Sequence, residues 1–584
     1  MKRLLGILAV LLLMIGSIIA PAMAQDAPNG TWLGTWPYTA PGTHDLSSWS
    51  TNGLEANLGS PVYRPLVQLQ PAFYMWATEE YVGILAESFG FVDDNAGYEY
   101  TIKEGAKWSN GDAITTEDVI DTFAIGRIMG WSDFTYIDTV TAVDDRTVHF
   151  TFLEGKASKV AERLILKDYV VPRATYGDLA AEALKLVADG KTADDQEWKD
   201  LATAISEFHP DTLIASGPYT YSLDDVGEAF LTLHWQPNSL YSNSVKFGEI
   251  KLWAGETEVS TPLVLSNELA FSTNVFPPAT IQSFADAGIR LVSIPLGYGP
   301  ALLFNFKVEA FNDRLVRQAM AYAIDREQNA LLTNGLGATA THYMSGILDS
   351  LTPILLSPEG VNALNLYEHN LETADSLMEQ AGYTRNADGK WADASGATLS
   401  FQYTFAADFA DFSAAARDAT AQLNDFGFVI EERALPWQQA AQAIREGDFE
   451  LSVWSWGSGS PFAFNNLNSP VRRWTNPVLP EEQPGTGLVL QHDYNGEQID
   501  LNELILNVSA GMDSEQLKAQ ADYVSKVLND EMFFIPLNEE LSVEPVNETL
   551  IGGVPADGDP IFANPANEAW ASYLILNGTL YPAN

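Results

Sequence analysis

Apolar and polar positions recur with two different periods along this chain, and both periods predict regular secondary structure. The clearest helical stripe lies in 311–326, where apolar residues recur three or four positions apart: Leu315, Val316, Ala319, Met320 and Ala323. Asn312 or Asp313 is placed to cap this helix by accepting a hydrogen bond from a free first-turn amide. The pattern therefore predicts an amphipathic helix with one face on a core.

The two periods alternate along the rest of the chain. A Thr-x-x-acid capping signal at Thr115 to Asp118 begins a helix that runs to about Met129, and Gly382 is placed to end another helix. The remaining predicted elements are helices over 371–381 and 412–426 and strands over 98–102, 140–143, 147–152, 399–405 and 449–456. Because these elements alternate without a fixed repeat, we expect an α/β fold with mixed sheets covered by helices.

The beginning of the chain predicts export. Lys2 and Arg3 form a short positive region, 4–20 is an apolar run, and Ala22-Met-Ala24 fits the small-x-small rule for cleavage before Gln25. The alternative is an uncleaved anchor, but the run is slightly short for a membrane span, which takes about 20 residues. We therefore expect 1–24 to be a signal peptide and the protein to be periplasmic or at the cell surface.

Composition narrows the possibilities further. The chain contains no cysteine, which excludes disulfides, thiolate metal sites and the lipobox cysteine of a lipoprotein. Its formal net charge of −46 excludes nucleic acid as a partner, because phosphate binding needs the opposite sign. Solubility or a salty habitat accounts for this acidity, and attraction for cations, including positively charged peptides, is the alternative.

The common catalytic motifs are absent from the sequence. It contains neither an H-E-x-x-H helix nor a G-x-S-x-G elbow, and its seven histidines show no metal-ligand spacing. The segment 335–340 superficially resembles a dinucleotide-binding loop, but it follows a predicted helix rather than a strand. We therefore expect a protein that is not an enzyme and that uses no metal or cofactor.

Several segments resemble, in order, the extracellular solute-binding protein family 5, whose members bind peptides, nickel or oligosaccharides for ABC importers. Val316-Arg-Gln-Ala-x-x-Tyr-Ala-Ile-Asp-Arg326 is similar to the signature helix of that family. The other similar segments are 85–88, 100–111, 115–119, 216–219, 304–305, 374–383 and 388–391. The resemblance implies structural roles for Trp108, Glu117, Asp118, Asn305, Arg317, Tyr322 and Asp325.

The resemblance also implies an architecture and a function. The expected fold is periplasmic-binding-protein-like, with two lobes joined by a hinge and an additional inserted domain. The expected boundaries are 25–60, 205–298 and 535–584 for domain I, 61–204 for domain II, and 299–534 for domain III. A monomer of this kind captures a small-molecule ligand between its closing lobes and delivers it to a membrane permease. A surface receptor or chaperone that is not coupled to transport is the alternative from a different class.

The segment 451–461 bears on which ligand is bound. Peptide binders of the family carry an aspartate here that pairs with the α-ammonium group, and the matching position in this chain is Gly457. No aspartate occurs anywhere in 449–468. A loop of glycine and serine suits a neutral polar ligand, so an oligosaccharide is the favoured ligand, with a peptide or a nickel chelate as the alternatives.

The aromatic residues support the same interpretation, because tryptophan rings provide platforms for sugars. The chain has 15 tryptophans, which also commonly fill cores. Two or three of Trp32, Trp36, Trp49, Trp437, Trp454 and Trp456 are expected to face a ligand. The candidate ligand contacts are Trp454, Trp456, Gly457, Ser458, Trp437, Trp32 and Trp36. We expect the substitution Trp456→Ala to weaken binding while leaving the melting temperature nearly unchanged.

Overall fold

The computed structural model describes residues 27–38, 42–475, 478–479 and 482–583. The expected signal peptide, 1–24, lies outside these ranges. Within them, no helix has both the length and the apolarity needed to cross a membrane. Helices and strands alternate throughout, so the fold is mixed α/β.

The strands, in chain order, are β1 Thr31–Thr35, β2 Ala72–Met75, β3 Glu80–Gly83, β4 Ala86–Val92, β5 Gly97–Ile102, β6 Ile137–Ala142, β7 Thr147–Phe152, β8 Tyr219–Thr220, β9 Phe230–Trp235, β10 Glu249–Trp253, β11 Arg290–Pro295, β12 Gly299–Phe304, β13 Ala338–Ala340, β14 Thr384–Arg385, β15 Trp391–Ala392, β16 Ser400–Ala406, β17 Val429–Leu435, β18 Leu451–Trp456, β19 Gln491–Tyr494, β20 Glu497–Asp500, β21 Phe534–Pro536, β22 Asn538–Val546, β23 Ile551–Gly552 and β24 Tyr581–Pro582.

The α-helices are α1 Leu54–Leu58, α2 Thr116–Ile128, α3 Lys159–Lys167, α4 Arg173–Ala188, α5 Gln196–Ser206, α6 Thr257–Leu265, α7 Pro278–Asp286, α8 Arg314–Ala323, α9 Arg326–Asn334, α10 Thr352–Leu355, α11 Pro358–Asn362, α12 Leu371–Gln380, α13 Ala410–Phe426, α14 Trp437–Glu446, α15 Ala463–Arg472, α16 Leu501–Asn507, α17 Ser514–Glu531 and α18 Trp570–Leu576.

Among the described residues, four sheets have three or more strands, and the remaining strands form four two-stranded sheets. Sheet A has the strand order β1-β10-β9-β8, sheet B the order β4-β5-β7-β6, sheet C the order β17-β16-β18-β12-β21, and sheet D the order β11-β22-β13. Sheet C mixes directions, because β16 runs parallel to both β17 and β18 whereas β12 runs antiparallel to β18. Its two faces carry separate cores, since successive side chains of β12 point to opposite sides, Leu302 to one core and Leu303 to the other.

Sheet D connects sheet C with the region around sheet A. The long strand β22 begins beside sheet C, where the carbonyl of Asn538 accepts a hydrogen bond from Trp456. It ends with Val546 in a bridge to Phe271, which belongs to the core around sheet A. Its antiparallel partner β11 leads into β12 of sheet C. Two adjacent strands therefore carry the chain between the two regions.

Most of the predicted elements are present, with one correction at the signature helix. Asp313 caps α8 by accepting a hydrogen bond from the Leu315 amide at 2.8 Å, as predicted for one of the two candidates. The prediction of one continuous helix over 311–326 is wrong, because α8 stops at Ala323 and Asp325 caps the next helix instead. A second N-cap within the pattern thus divides the stripe into two helices.

The other capping prediction is confirmed. The Thr115 and Asp118 side chains form a reciprocal capping box at the start of α2, and the Asp118 carboxylate accepts from the Thr115 amide at 2.8 Å. The predicted hairpin is present as β6 and β7, and the predicted strands at 399–405 and 449–456 correspond to β16 and β18 within two residues.

Candidate functional site

The carboxyl ends of parallel strands place several loops of the two regions opposite each other. In sheet C, β16, β17 and β18 end at one edge, so the segments that follow them, 407–412, 436–437 and 457–460, lie together. In sheet A, β1 and β10 are also parallel and are followed by Tyr38 and Glu256. Ligands of open α/β sheets usually bind beyond such strand ends, so the space between these loops is the candidate site.

One cavity lies directly between these two sets of loops. It encloses about 140 Å³, and we call it the carboxyl cavity. Tyr38 and Glu256 line it from the sheet A side, and Tyr298 lines it from the segment that joins β11 to β12. The sheet C side contributes Asp408, Phe409, Asp411 and Phe412. Both regions of the molecule therefore form its wall.

The carboxyl cavity is strongly acidic. Burial raises the pKa of Glu256 to about 7, and the charges of Asp411 and Asp408 act in the same direction. Burial likewise raises the pKa of Asp411. The carboxyl group of Glu540 on β22 lies beside that of Asp411, and burial together with this neighbour raises its pKa well above the usual range. The described residues that line the cavity include no lysine, arginine or histidine.

A second, larger cavity of about 320 Å³ lies beside the loop that follows β18, and we call it the loop cavity. Its lining includes Ser458, Ser460, Asn465, Asn567, Arg163 and Lys167. Asn567 donates a hydrogen bond to the Gly459 carbonyl at 2.9 Å and so joins the carboxy-terminal segment to the loop. The loop cavity therefore offers hydroxyl, amide and cationic groups to a ligand.

The cations of the loop cavity are held by one buried carboxylate. Glu568, whose side chain is fully buried, accepts from Arg163 at 2.5 Å and from Lys167 at 2.7 Å. Burial alone would raise the pKa of Glu568, but Lys167 and Arg163 hold it below its ordinary value. This arrangement fixes α3 against the carboxy-terminal segment.

Two of the predicted tryptophan contacts are corrected by the structure. Trp32 is fully buried, packs against Phe247 and Phe271, and donates its indole N–H to the Tyr63 hydroxyl. Trp456 is fully buried as well and donates to the Asn538 carbonyl at 3.0 Å. Both rings fill cores, so neither is available to a ligand in this conformation.

Other predicted tryptophans support the carboxyl cavity from behind. Trp454 is 7% exposed and packs against Phe409 and Phe412, which line the cavity, so it too is a core residue. Trp437 is partly buried and stacks on Phe409 at a centroid distance of 6.1 Å. Trp36, also partly buried, packs against Tyr38 at 4.9 Å. These rings position the wall of the cavity without being part of it.

The structure explains why position 457 is glycine. Gly457 has φ +78°, and a Cβ added to it would lie 2.5 Å from Cδ2 of Leu348. An aspartate there would combine a left-handed backbone with a contact that Leu348 would have to shift to relieve, so both the backbone and the packing disfavour an aspartate at this position. Ser458, the next residue, lines the loop cavity, and its contact with a ligand stays a prediction.

The signature residues make structural contacts. Arg317 is 2% exposed and donates to the carbonyls of Phe311, Glu531 and Met532. The remaining contacts are Trp108 to Asp118, Glu117 to Arg173, Tyr322 to Asn365, Asp325 to the Gln328 amide, and Asn305 to the carbonyls of Gly447 and Phe449.

The acidic residues of the carboxyl cavity were missed by the sequence analysis. Asp408 and Asp411 directly follow the predicted strand 399–405, and the rule that sites form beyond strand ends was a usable signal for them. Glu256 and Glu540 gave no comparable signal, because their place depends on how sheets A and C face each other. No set of three or more His, Asp or Glu side chains in the described ranges is arranged to hold a metal ion.

Comparison with known proteins identifies the family. The family model for bacterial extracellular solute-binding proteins, family 5 Middle, matches residues 80–475, and the chain belongs to this family. The curated relatives include the probable peptide-binding protein YejA of Agrobacterium fabrum, 22% identical over 483 residues that cover 74% of each chain.

Solved structures show the same fold. The oligopeptide-binding protein AppA of Bacillus subtilis, in complex with a nonapeptide, matches 95% of this chain and 100% of its own with a TM-score of 0.68 and 15% identity. A periplasmic oligopeptide-binding protein of Thermotoga maritima with bound mannohexaose matches 96% and 99% of the two chains with a TM-score of 0.71 and 18% identity. The predicted family and the predicted periplasmic-binding-protein fold are therefore confirmed.

Proposed function

We propose that this chain is the exported binding protein of an ABC importer and that it captures an oligopeptide between two closing lobes. The observation that carries the proposal is the carboxyl cavity, whose wall is divided between loops of sheet A and loops of sheet C. A site divided in this way is complete only when the two regions are together. Ligand binding then favours the closed state, which a permease can distinguish from the open one.

The domain boundaries that the family resemblance implies are part of the proposal. The lobe around sheet A consists of 25–60, 205–298 and 535–584, the lobe around sheet C of 299–534, and the additional domain around sheet B of 61–204. Strands β11 and β22 pass between the lobes and serve as the hinge. Removal of 1–24 on export completes the mature protein.

A peptide is favoured over an oligosaccharide because several of the tryptophans predicted to bind a sugar lie in cores. Trp32, Trp454 and Trp456 belong to cores, whereas the space between the lobes is bounded by carboxyl groups. A neutral oligosaccharide is the second candidate, and the uncharged Gly and Ser loop at 457–460 favours it.

Thermal melting of residues 25–584 against two matched panels tests the proposal. One panel contains synthetic peptides of two to nine residues, and the other contains cello-, xylo-, manno- and malto-oligosaccharides. A ligand that binds only the folded state raises the melting temperature with its concentration. We expect a rise with peptides, and a rise with sugars alone would replace the peptide by the second candidate.

A further inference from the structure

We propose that a third cavity, which we call the platform cavity, binds an aromatic side chain of a long oligopeptide whose other residues lie between the lobes. The inference rests on the proposed function, because it needs a peptide in the cleft, and it names a side chain that this peptide should carry. The platform cavity encloses about 660 Å³, within the range of about 300–1,000 Å³ that is usual for ligand pockets.

The platform cavity lies on one side of the cleft. Its described wall comes from 48–64, between β1 and β2, and from 129–131 and 167–171 at the ends of α2 and α3. The described residues that line it include none of 299–534, which contain sheet C. The cavity is therefore formed by the entry to the sheet A region together with the elements around sheet B.

The platform cavity adjoins the loop cavity. Lys167, Asp168 and Tyr169 line both of them, and the loop cavity lies in turn beside the loop that follows β18. A peptide that passes through the loop cavity can therefore place a further residue in the platform cavity. An extended chain advances only about 3.3 Å per residue, so a peptide has to be several residues long to occupy both cavities.

Two tryptophan rings form the platform after which the cavity is named. Trp49 and Trp131, both partly buried, line it with their ring centroids 5.1 Å apart and their planes at 34°. Trp131 lies close over Gly126, where a Cβ would be only 2.3 Å from the ring. Met129, also partly buried, completes this part of the wall. Aromatic rings pair favourably with one another and methionine adapts to their shape, so this wall suits an aromatic side chain.

The loop that carries Trp49 is held in place by hydrogen bonds. The Ser48 amide donates to the Tyr176 hydroxyl of α4 at 2.9 Å, and Gln68 donates to Oγ of Ser48 at 2.9 Å. The amide of Trp49 itself donates to Oγ of Ser47 at 3.1 Å. Because the platform is ordered before a ligand arrives, binding does not have to order it.

The charged side chains of the wall already have partners. Lys167 donates to Glu568 at 2.7 Å, and Arg64 lies 3.4 Å from Glu55. Burial raises the pKa of Asp168 well above its usual range, which favours the uncharged carboxyl group. A charged ligand group would therefore find no unpaired counter-charge among the described residues of this wall, and an uncharged side chain is favoured.

The hydroxyl groups of the wall are largely occupied as well. Ser50 donates to Asp45 at 2.5 Å and accepts from the Asn52 amide at 3.2 Å, and Ser48 accepts from Gln68. A sugar ring gains much of its affinity from hydrogen bonds to free polar groups, and these hydroxyls offer few. An aromatic side chain needs none of them.

Calorimetric titration with a set of octapeptides tests the inference. The parent peptide alternates serine and alanine, and eight relatives each carry one phenylalanine at a successive position. We expect phenylalanine at one or two adjacent positions to raise the affinity roughly tenfold or more, the scale of burying an aromatic side chain. Lysine at the preferred position should give no such gain.

Variants of the platform show where the gain arises. Trp49→Leu keeps an apolar side chain but removes the ring, so it should reduce the gain from phenylalanine roughly threefold to tenfold while the parent peptide binds as before. Trp49→Phe restores a ring and should recover most of the gain. Trp253→Leu is the matched control, because Trp253 is partly buried, packs against Phe230 and lines neither the platform cavity nor the loop cavity. The melting temperature of each variant establishes that it is folded.

Photocrosslinking to the wild-type protein gives a second measurement that needs no variant. The octapeptide carries p-benzoylphenylalanine at the preferred position, and mass spectrometry locates the residue to which it becomes attached after irradiation. We expect attachment within 48–51 or 129–131.

Three results would overturn the inference while leaving peptide capture in place. These are equal affinity for the parent peptide and all its phenylalanine relatives, a gain that survives Trp49→Leu unchanged, and attachment only to residues that do not line the platform cavity. If no octapeptide bound, the proposed capture of peptides would fail together with the inference.

Discussion

Leu348 occupies the space into which any side chain at Gly457 would have to extend. A Cβ at position 457 would lie 2.5 Å from Cδ2 of Leu348, and the backbone there has φ +78°. The absence of an aspartate at position 457 therefore goes together with the packing of Leu348 against the loop, and is not a change at position 457 alone.

Gly457→Ala should lower the free energy of unfolding more than a comparable glycine substitution does. Gly382→Ala is the matched control, because Gly382 also has a positive φ, +89°, but has open space where the methyl group of an alanine would lie. Both variants incur the backbone cost of about 1 kcal/mol, and only Gly457→Ala adds a collision costing about 1–3 kcal/mol. Equal losses in chemical unfolding would show that Leu348 moves aside freely.

Trp456→Ala should destabilise the protein strongly, contrary to the expectation from sequence. The fully buried ring leaves a cavity and an unpaired Asn538 carbonyl, a change that costs about 3–5 kcal/mol. Trp437→Ala, at a partly buried ring, should cost less. An unchanged melting temperature for Trp456→Ala would contradict the core position.

Glu568→Gln should cost about 3–5 kcal/mol, because Arg163 and Lys167, both partly buried, would lose the fully buried carboxylate that pairs with them. Glu548→Gln is the control, since Glu548 is half-exposed and its pair with Arg290 is a surface contact worth at most about 1 kcal/mol. The folded-state pKa of Glu568 is lowered, so the advantage of the wild type is present at neutral pH.

That advantage should shrink as the pH falls below the ordinary glutamate pKa, where the unfolded chain takes up its proton first. Unfolding in urea at several pH values measures both the size and the pH dependence. A loss for Glu568→Gln no larger than that for Glu548→Gln would show that the buried pairs contribute little.

Glu544 should contribute to stability with the opposite pH dependence to Glu568, and the substitution Glu544→Gln should remove that contribution. Burial raises the pKa of Glu544 to about 8, although Trp570 donates to it at 2.7 Å. The folded protein therefore holds a proton that the unfolded chain releases near pH 4.5, and this contribution to stability is lost as the pH rises from about 4.5 to 8.

The wild type should accordingly lose stability relative to Glu544→Gln by on the order of a few kcal/mol between pH 5 and pH 8. The contributions of the other buried acids to the pH dependence of stability are the same in both proteins, so they cancel in the comparison. Parallel curves for the two proteins would mean that Glu544 does not titrate in this range, and the exposed control Glu182→Gln should give a curve parallel to the wild type.

Local signals in the sequence were sufficient for the elements and insufficient for the site. The capping box of Thr115 and Asp118 depends on neighbours within one turn, so the sequence alone was sufficient to predict it. Alternation along β18 also places Trp454 and Trp456 on one face, but only the packing of helices over that face shows that it is a core.

Asp408 follows a predicted strand, which was a local signal, but the assembly of the complete carboxyl cavity required information that no local pattern holds. Glu256 follows a strand of sheet A, Asp408 follows a strand of sheet C, and Glu540 lies on a strand that joins the two regions. These residues meet only because the two strand edges face each other. The sequence analysis named the family and the loop at 457–460 but could not find the acids opposite.

Small-angle X-ray scattering of residues 25–584 tests the central claim, capture between closing lobes, most directly. The radius of gyration is measured without ligand and with a saturating amount of the peptide that raises the melting temperature most. Closure around the peptide should reduce the radius of gyration, and Gly382→Ala should behave as the wild type does. A peptide that raises the melting temperature while the scattering curve stays unchanged would contradict the account.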